Sequence, residues 1–571
     1  MLKSLLASLL RKPPAATVPR PPDIDALMAR AVAIHRSGDL AAADLVYAEV
    51  LRARPDHADA LHLRGVVALQ GGDNARAIEL VRRACELAPP NAIYLNHLGE
   101  ALRQIDDLDG AVETLESAVA LDPDSASAWN NLGAAYIDLG LAPRALDCYR
   151  KAIASKPDNA TARSNLLMVL NLVPGIGNEE RLAQHLSWAE RHADPLTPER
   201  APPARPRGAR RLRIGYVSPD FRQHALAPFV APLLERHDRS RFEVFAYNST
   251  PRPDTVTAAL RMHVDSWREI YGIDDAAAAA QVHADGIDIL VDLAGHTNGN
   301  RLGVFARKPA PVQVTMLGYP FSTGMRAMDF RVTDAVADAD PRAATWNRER
   351  LLVMPDSLWC FRPWTSMPEI TPLPAAGNGG VTFVSLNNPG KLNAEVLETW
   401  AKILLRVPGA RLRLMLFRPG QASSRMIGHL SQLGIDPARI VTHERAPSVE
   451  FWRQAQASDI ALDPFPCNGG ATTCESLWLG LPVVALIGDH FVARASCSIL
   501  RAATLGDLAC ADRDAYVARA CELARDTAAL AAMRAGMRER LRASTLLDES
   551  RYVGAFEALL LQAWDDRSRE G

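Results

Sequence analysis

Two hydrophobic patterns divide the chain. From residue 24 to about residue 173, apolar positions recur three to four residues apart, the spacing typical of helices. From residue 211 onward, short apolar runs ending in turn residues alternate with amphipathic stretches. The second pattern predicts strands alternating with helices, and hence parallel sheets. The fold class is therefore α + α/β, with a helical part before an α/β part.

The helical part repeats every 34 residues. Proline, alanine and glycine each keep one position in successive units: Pro55, Pro89, Pro123 and Pro157; Ala43, Ala77, Ala111 and Ala145; Gly65, Gly99 and Gly133. Each unit predicts two antiparallel helices that meet at the small residues and end at the proline. The pattern resembles the tetratricopeptide (TPR) repeat and predicts a TPR α-solenoid over residues 24–173, whose groove is suited to a polypeptide.

Short segments flank the repeats. Residues 1–22 predict a flexible tail, because their apolar run is too short for a secretory signal or a membrane span. Residues 174–209 predict one helix that closes the stack, followed by a linker rich in proline and arginine.

The α/β part contains two series of strands. RLRIGYVS, RFEVFAYNS, IDILVDLAG, PVQVTMLGY and DFRVTD predict the first series, which stops near residues 351–364. VTFVSLN, ARLRLML, RIVTHE, DIALDPF and PVVALIG predict the second. We expect two Rossmann-like domains, at residues 210–375 and 376–571, with a ligand cleft between the carboxyl ends of their strands.

Composition narrows the function classes. The 64 basic and 66 acidic side chains give a net charge of −2, so nucleic acid is not an expected partner. None of the eight cysteines forms a C-x-x-C pair, which favours reduced thiols in a cytoplasmic protein.

Two loops of the second domain carry candidate anion-binding groups. Lys391 follows the first strand of that domain and can neutralise a diphosphate, with Asn388 beside it. A Gly-Gly-x-Thr-Thr-x-Glu stretch follows a later strand and opens a helix, whose amino end favours phosphate. Its candidate donor-binding residues are Gly470, Ala471, Thr472, Thr473 and Glu475, the last for ribose hydroxyls.

A third loop of the second domain suits a nucleobase. The backbone around Ala446 and Pro447 can read the edge of a base, and Phe451 can stack on it, although packing in the core explains this aromatic residue equally well. Asp338 and Asp340 match a D-x-D metal motif only in their letters, so no metal site is expected.

The first domain offers histidines. His224 lies in its first strand-to-helix loop, on the opposite wall of the cleft, and is the candidate catalytic residue beside Lys391. His283 and His296 are weaker candidates for contacts with a sugar or an acceptor.

These motifs, together with RLRIGYVSPDF, MLGYPFSTG, LDPFPCNG and SLWLGLPVV, resemble the family 41 glycosyltransferases, which include TPR-fused protein O-GlcNAc transferases. The resemblance implies an inverting, metal-independent GT-B enzyme of bacterial type that transfers N-acetylglucosamine from UDP-GlcNAc to Ser or Thr hydroxyls. It implies the active-site histidine at His224 and diphosphate binding by Lys391. It adds Leu317 and Gly318 as candidate sugar or acceptor contacts.

Several positions depart from the animal enzymes of that family. Glu475 stands where aspartate is typical, Gly470 and Ala471 replace a His-Thr pair, and Phe451 and Ser448 replace a histidine and a lysine. These departures determine the identity of the donor less well than the class of reaction, and GDP-fucose and UDP-glucose are alternative donors. A catalytically inactive TPR adaptor is a further alternative, and the repeats allow for a homo-oligomer.

Overall fold

A computed structural model describes residues 23–204, 208, 210–416 and 420–570. The predicted flexible tail, residues 1–22, lies outside the described residues. The described residues form two compact units, which divide between Pro123 and Asp124, inside the predicted repeat array.

The first unit contains three helix pairs, as the 34-residue period predicts. Its helices are α1 Ile24–Arg36, α2 Leu40–Ala53, α3 Ala58–Gln70, α4 Asn74–Leu87, α5 Ala92–Gln104 and α6 Leu108–Leu121. Asp39, Asp73 and Asp107, again 34 residues apart, cap the second helix of each pair with their side chains. A Cβ on Gly65 would lie 2.6 Å from the Val81 side chain, so the glycine permits the close crossing.

The second unit begins with the remaining helices of the array. These are α7 Ala126–Asp138, α8 Ala142–Ser155, α9 Ala160–Val169 and α10 Asn178–His192. Gly133 keeps the same role, since a Cβ there would lie 2.8 Å from the Tyr149 ring. Helix α10 is the predicted closing helix, and its Asn178 side chain donates to the carbonyl of Asp489 in the last third of the chain.

The first Rossmann-like sheet has seven parallel strands in the order β3-β2-β1-β4-β5-β6-β7. Its strands are β1 Leu212–Ser218, β2 Phe242–Asn248, β3 Ser266–Glu269, β4 Ile289–Asp292, β5 Val312–Thr315, β6 Phe330–Asp334 and β7 Arg350–Met354. Its helices are α11 Ala227–Arg236, α12 Thr255–Arg261, α13 Asp275–Ala284 and α14 Leu302–Ala306. The five predicted strands are confirmed, and β3 and β7 are two further strands that were not predicted; the series ends with β7, within the predicted range of residues 351–364.

The second sheet has six parallel strands in the order β10-β9-β8-β11-β12-β13. Its strands are β8 Thr382–Ser385, β9 Arg411–Leu414, β10 Ile440–Thr442, β11 Ile460–Leu462, β12 Val483–Leu486 and β13 Ala509–Cys510. Its helices are α15 Ala375–Asn378, α16 Ala394–Arg406, α17 Gln421–Gln432, α18 Ser448–Gln456, α19 Ala471–Trp478, α20 Ala495–Ala502, α21 Arg513–Arg525, α22 Thr527–Ala535, α23 Met537–Arg542 and α24 Glu549–Glu570.

Direct contacts join the two Rossmann-like domains around a cleft. Gln223 Nε2 donates to Ser448 Oγ at 3.1 Å, and Arg494 Nε donates to the Val336 carbonyl at 2.6 Å. Helix α24 falls in the predicted range of the second domain but packs on the first, where Glu557 Oε1 accepts from the His237 ring at 2.9 Å. Among the described residues, no helix combines the length and hydrophobicity needed to cross a lipid bilayer.

Candidate functional site

The amino end of helix α19 forms one wall of the cleft. Gly469 donates its N–H to the buried Asp463 carboxylate at 2.8 Å, which fixes the turn before the helix. The N–H of Thr473 bonds back to the Gly470 carbonyl at 3.1 Å. In this part of the described chain, the N–H groups of Ala471 and Thr472 donate to no protein acceptor. They are the donors that a phosphate at this helix end would use.

Lys391 lies against the same turn. Its Nζ donates to the Asn468 carbonyl at 2.7 Å and to Asn387 Oδ1 at 3.3 Å. Asn387 Oδ1 also accepts from Thr472 Oγ1 at 3.2 Å. The buried Asn387 side chain therefore holds the lysine and the opening residue of the helix together. Because Lys391 is only half-buried, its ammonium group remains open to an anion in the cleft.

Asn388 has a local role. Its side chain accepts from the Gly390 N–H at 2.8 Å and caps the short helical turn Pro389–Lys391. This capping positions Lys391. Asn388 is itself exposed, so its predicted contact with the donor stays a prediction.

The buried carboxyl group of Asp463 affects the electrostatics of the turn before helix α19. Burial raises the pKa of Asp463 to about 6, while the charge of Lys391 and the Gly469 hydrogen bond oppose that rise. The carboxylate is therefore ionised at neutral pH and holds a positive partner beside the anion site.

Glu475 lies one helical turn further along α19. Burial raises its pKa to about 7, and hydrogen bonds from Trp452 and Trp364 oppose the rise. The carboxyl group thus changes its charge near neutral pH. Its ionised form is the stronger acceptor for ribose hydroxyls, which fits the predicted role.

The third loop flanks the same helix. Ala446 is half-buried and Pro447 exposed immediately before α18. Phe451, in the first turns of α18, packs partly on the hydrophobic core. Its face is not fully free, so stacking on a base stays a prediction for this residue.

The opposite wall comes from the loop between β1 and α11. His224 Nε2 lies 3.7 Å from Asp220 Oδ1, and its Nδ1 accepts from the Leu226 N–H at 3.3 Å. Burial lowers the pKa of His224, and the Asp220 charge opposes the change. The imidazole is therefore neutral at pH 7, and its half-exposed ring can contact a sugar or an acceptor.

The loop after β5 also reaches this cleft. Leu317 adopts φ +61°, and a Cβ on Gly318 would overlap the Leu293 carbonyl, so the backbone is tightly fixed. The buried Tyr319 hydroxyl lies 2.7 Å from His185 Nε2, which anchors the loop to helix α10.

The other two predicted histidines lie in different surroundings. His296 is buried, its Nε2–H donates to the Thr323 carbonyl at 2.9 Å, and it lines a cavity between helices α9 and α10 and the loop after β4, so its contact with an acceptor stays a prediction. His283 is exposed at the carboxyl end of α13. Because α13 runs antiparallel to the strands, this end lies at the sheet edge away from the cleft. The structure therefore does not support His283 as a sugar or acceptor contact.

One further sequence expectation changes. The Thr473 N–H was expected to face the anion, but it is bonded to Gly470, and Thr473 Oγ1 lies 2.8 Å from Ser496 Oγ. Both carboxylates of the D-x-D match are engaged by arginines, Asp338 by Arg331 and Asp340 by Arg342.

Sequence reasoning missed three residues that build the site. Asn387 and Asp463 lie within motifs that were recognised, but the bond of Asn387 to Thr472 joins two loops that are 85 residues apart, and the bond of Asp463 to the Gly469 N–H depends on the path of the turn between them. Trp359 lies in the segment joining the two domains, and its ring borders Gly470. Only the fold brings it there.

Comparison with known families gives a consistent result. A model described as glycosyl transferase family 41 matches residues 197–370 and 373–556. TPR models match residues 29–92, 99–140 and 126–159.

Individual relatives agree with these matches. A tomato (Solanum lycopersicum) protein named probable UDP-N-acetylglucosamine–peptide N-acetylglucosaminyltransferase SPINDLY is 37% identical over 365 residues, covering 62% of this chain and 39% of the relative. Its namesake from rice (Oryza sativa subsp. japonica) is 35% identical over 410 residues, covering 70% and 44%. The chain thus spans about two fifths of the length of these curated relatives.

A solved structure matches over a much larger share. A lysine-to-methionine mutant of the Thermobaculum terrenum O-GlcNAc transferase is 35% identical, with a TM-score of 0.80. The match covers 96% of this chain and 98% of that chain.

Proposed function

The chain belongs to glycosyl transferase family 41, and we propose that it transfers N-acetylglucosamine from UDP-GlcNAc to Ser or Thr hydroxyls of polypeptides. One observation carries the proposal: Lys391 Nζ lies 2.7 Å from the Asn468 carbonyl, beside the uncommitted N–H groups of Ala471 and Thr472. An ammonium group and a helix amino end thus converge where a diphosphate would bind.

The geometry suits an inverting displacement. The acceptor oxygen forms a bond to the anomeric carbon as the bond from that carbon to the β-phosphate oxygen breaks and UDP departs. Lys391 and the two amides stabilise the negative charge that grows on the diphosphate. Neutral His224, on the opposite wall, orients the acceptor or the sugar. The hydroxyl proton passes to a phosphate oxygen of the departing donor.

The polypeptide acceptor has a suitable approach within the second unit. A polar cavity of about 570 Å³ lies between helices α9 and α10 and the loop after β4. Its lining includes Ser164, Asn165 and Asn298, whose hydroxyl and amide groups can pair with a peptide backbone. Asn165 is oriented by its bond to Asn130 Oδ1 at 2.9 Å. These groups support helix α9, the last helix of the TPR array, as part of the surface that binds the acceptor.

We also propose that transfer requires no metal ion, because Lys391 and the amino end of helix α19 supply the positive charge that a cation would otherwise provide. It also includes action in the cytoplasm. A homo-oligomer formed through the repeats stays a prediction.

A donor screen tests the proposed activity. The full chain is incubated with a Ser/Thr-containing peptide library and UDP-GlcNAc, GDP-fucose or UDP-glucose, and products are identified by mass. We expect addition of N-acetylglucosamine; addition of fucose or glucose alone would keep the reaction class and correct the donor. No transfer from any donor, with no UDP binding by calorimetry at millimolar concentration, would favour the inactive adaptor.

Lys391→Ala provides the matched test of the site. We expect transfer to fall by at least about a hundredfold, because one charge-stabilising donor is worth roughly that much in a transition state. Lys402→Ala, at an exposed position on α16, is the control and should retain wild-type activity. If Lys391→Ala kept activity within about threefold of wild type, Lys391 would not be the residue that stabilises the charge on the diphosphate.

A further inference from the structure

Arg307 brings a positive charge without an ionic partner to the polar cavity between helices α9 and α10 and the loop after β4. It directly follows α14, is half-buried and lines the cavity. Its Nη1 donates to the Gly303 carbonyl at 2.7 Å, and the other N–H groups of its guanidinium have no protein acceptor among the described residues and are accessible to solvent. Arg307 can therefore pair with an anion that enters the cavity.

The acid that lines the same cavity already has a partner. Asp275 Oδ1 accepts from Arg301 Nε at 2.6 Å. The other two nitrogen atoms of the Arg301 guanidinium donate to the carbonyls of Ile270 at 2.6 Å and Ile273 at 2.9 Å, which fixes the pair. Among the described residues that line the cavity there is no further carboxylate. The charge of Arg307 is thus not balanced within the cavity.

The two histidines that line the cavity do not change this balance at neutral pH. Burial lowers the pKa of His296 to about 4. Burial also lowers the pKa of His192, and the nearby charges of Arg163 and Arg191 lower it further, whereas Asp158 opposes the change. Both rings are therefore uncharged at pH 7, and the surrounding arginines add to a potential that favours an anion.

The cavity adjoins the loop that carries His224. Gly299 lines the cavity, and a Cβ on this glycine would lie 3.2 Å from Cβ of Pro219 in the loop between β1 and α11. Asn298, next to it, also lines the cavity and can bond a peptide backbone through its amide group. A polypeptide whose Ser or Thr lies at His224 can therefore extend into the cavity and reach Arg307.

We propose that this cavity is an acceptor subsite that selects an acidic side chain, Asp or Glu, through the guanidinium group of Arg307. Arginine suits this task because its planar fork can form two parallel N–H···O bonds with a carboxylate. A half-buried pair is also screened less by salt than an exposed pair. The inference rests on the proposed function, since it assumes a polypeptide acceptor at His224, and it adds a preference for sequences with an acidic residue near the modified Ser or Thr.

A peptide scan with the full wild-type chain tests the preference. Each labelled peptide has a single serine and neutral flanks, with Glu or Gln placed at one position up to about six residues away, a reach of roughly 20 Å for an extended chain. Binding is measured by fluorescence anisotropy and transfer from UDP-GlcNAc by mass. We expect Glu to improve both affinity and kcat/KM about tenfold over Gln at one position, as for a charge-assisted bond. Equal binding of the Glu and Gln peptides at every position overturns the proposal.

Substitutions of Arg307 test whether this residue is the origin of the preference. Arg307→Met removes the charge and keeps the length of the side chain, so it should bind the best Glu peptide no better than its Gln counterpart. Arg307→Lys keeps the charge and should retain part of the preference. Arg261→Met, at an exposed position in the last turn of α12, is the matched control and should keep the full preference. A preference that persists in Arg307→Met, or that is lost equally in Arg261→Met, overturns the proposal.

Photocrosslinking to the wild-type chain covers the case in which Arg307→Met does not fold. A photoreactive residue beside the favoured Glu should label residues of α14 or of the loop after β4, and labelling confined to other parts of the chain overturns the proposal.

The binding measurement separates this inference from the proposed function. A preference for Glu in binding, with no transfer from any sugar donor, would refute the proposed function and support the subsite. Transfer of N-acetylglucosamine that is the same for Glu and Gln peptides, with equal binding of both, would support the proposed function and refute the subsite.

Discussion

Replacing Glu475 with glutamine removes one titrating group from the donor site and keeps its shape. In the folded protein, burial raises the pKa of this carboxyl group from 4.5 to about 7. Trp452 and Trp364 hydrogen-bond to it and limit the rise. The group is therefore half-protonated near neutral pH, within the range in which nucleotide binding is measured.

Two consequences follow for stability and binding. Because its pKa is raised on folding, this carboxyl group stabilises the folded state fully below pH 4.5 and loses that contribution as the pH rises through 7. Ionisation of the group therefore lowers the free energy of unfolding by at most about 3 kcal/mol. Nucleotide binding has the opposite sign, because the ionised form accepts more strongly from ribose hydroxyls. A charged acceptor is worth about 1.5–3 kcal/mol, so UDP affinity should rise at least about tenfold between pH 5.5 and pH 8.5.

Calorimetry with UDP and thermal unfolding, both across this pH range, measure the two effects. We expect Glu475→Gln to bind UDP with the weak affinity of the wild type at acidic pH and to lose the rise centred near pH 7. Without ligand, the variant should be more stable than wild type at pH 8.5 and similar at pH 4. Glu398→Gln, at an exposed position on α16, is the control and should keep the wild-type pH profile.

Asp463, with a pKa of about 6, is the other buried acid at this site. Its contribution remains in both proteins, so the difference between wild type and Glu475→Gln isolates Glu475. If UDP affinity rose between pH 5.5 and pH 8.5 by the same factor in Glu475→Gln as in wild type, the assignment of Glu475 to the ribose would be wrong.

Three other substitutions distinguish residues that position the site from residues that bind the nucleotide. Tyr319→Phe leaves His185 Nε2 without its hydrogen-bond partner, so we expect the free energy of unfolding to fall by about 1–3 kcal/mol. Because the loop would be less well positioned, kcat should fall by a larger factor than KM rises. An unchanged kcat in steady-state kinetics would contradict this expectation. Gly318→Ala forces a methyl group into the Leu293 carbonyl and should lower the melting temperature and abolish transfer, and a variant with wild-type melting would refute the described loop geometry. His224→Ala should reduce transfer by about a hundredfold while UDP affinity stays within about twofold, because this histidine faces the cleft from the other wall; weakened UDP binding would place it on the nucleotide instead.

Local sequence patterns were sufficient to predict most of the helices and strands. The 34-residue register placed the small residues that allow helix crossing, and Gly65 and Gly133 occupy those crossings. Short buried runs located the central strands because both of their faces are apolar. Strands β3, β7 and β13, which all lie at sheet edges, were not predicted. The first two contain exposed polar positions, as in Ser266–Glu269, and β13 has only two residues.

The site could be predicted only in part. Lys391 and Thr472 were found because glycine-rich turns after strands are local features of sequence. Asn387, whose side chain bonds both of them, was missed because its bond to Thr472 joins loops that are 85 residues apart in sequence. His283 was misplaced because its proximity to a strand in sequence does not reveal which end of the sheet its helix faces.

A crystal structure of the full chain with UDP tests the account most directly. It should show the diphosphate within hydrogen-bonding distance of Lys391 Nζ and of the N–H groups of Ala471 and Thr472. A diphosphate bound elsewhere, or a protein side chain filling that position while UDP is absent from the cleft at saturating concentration, would contradict the account.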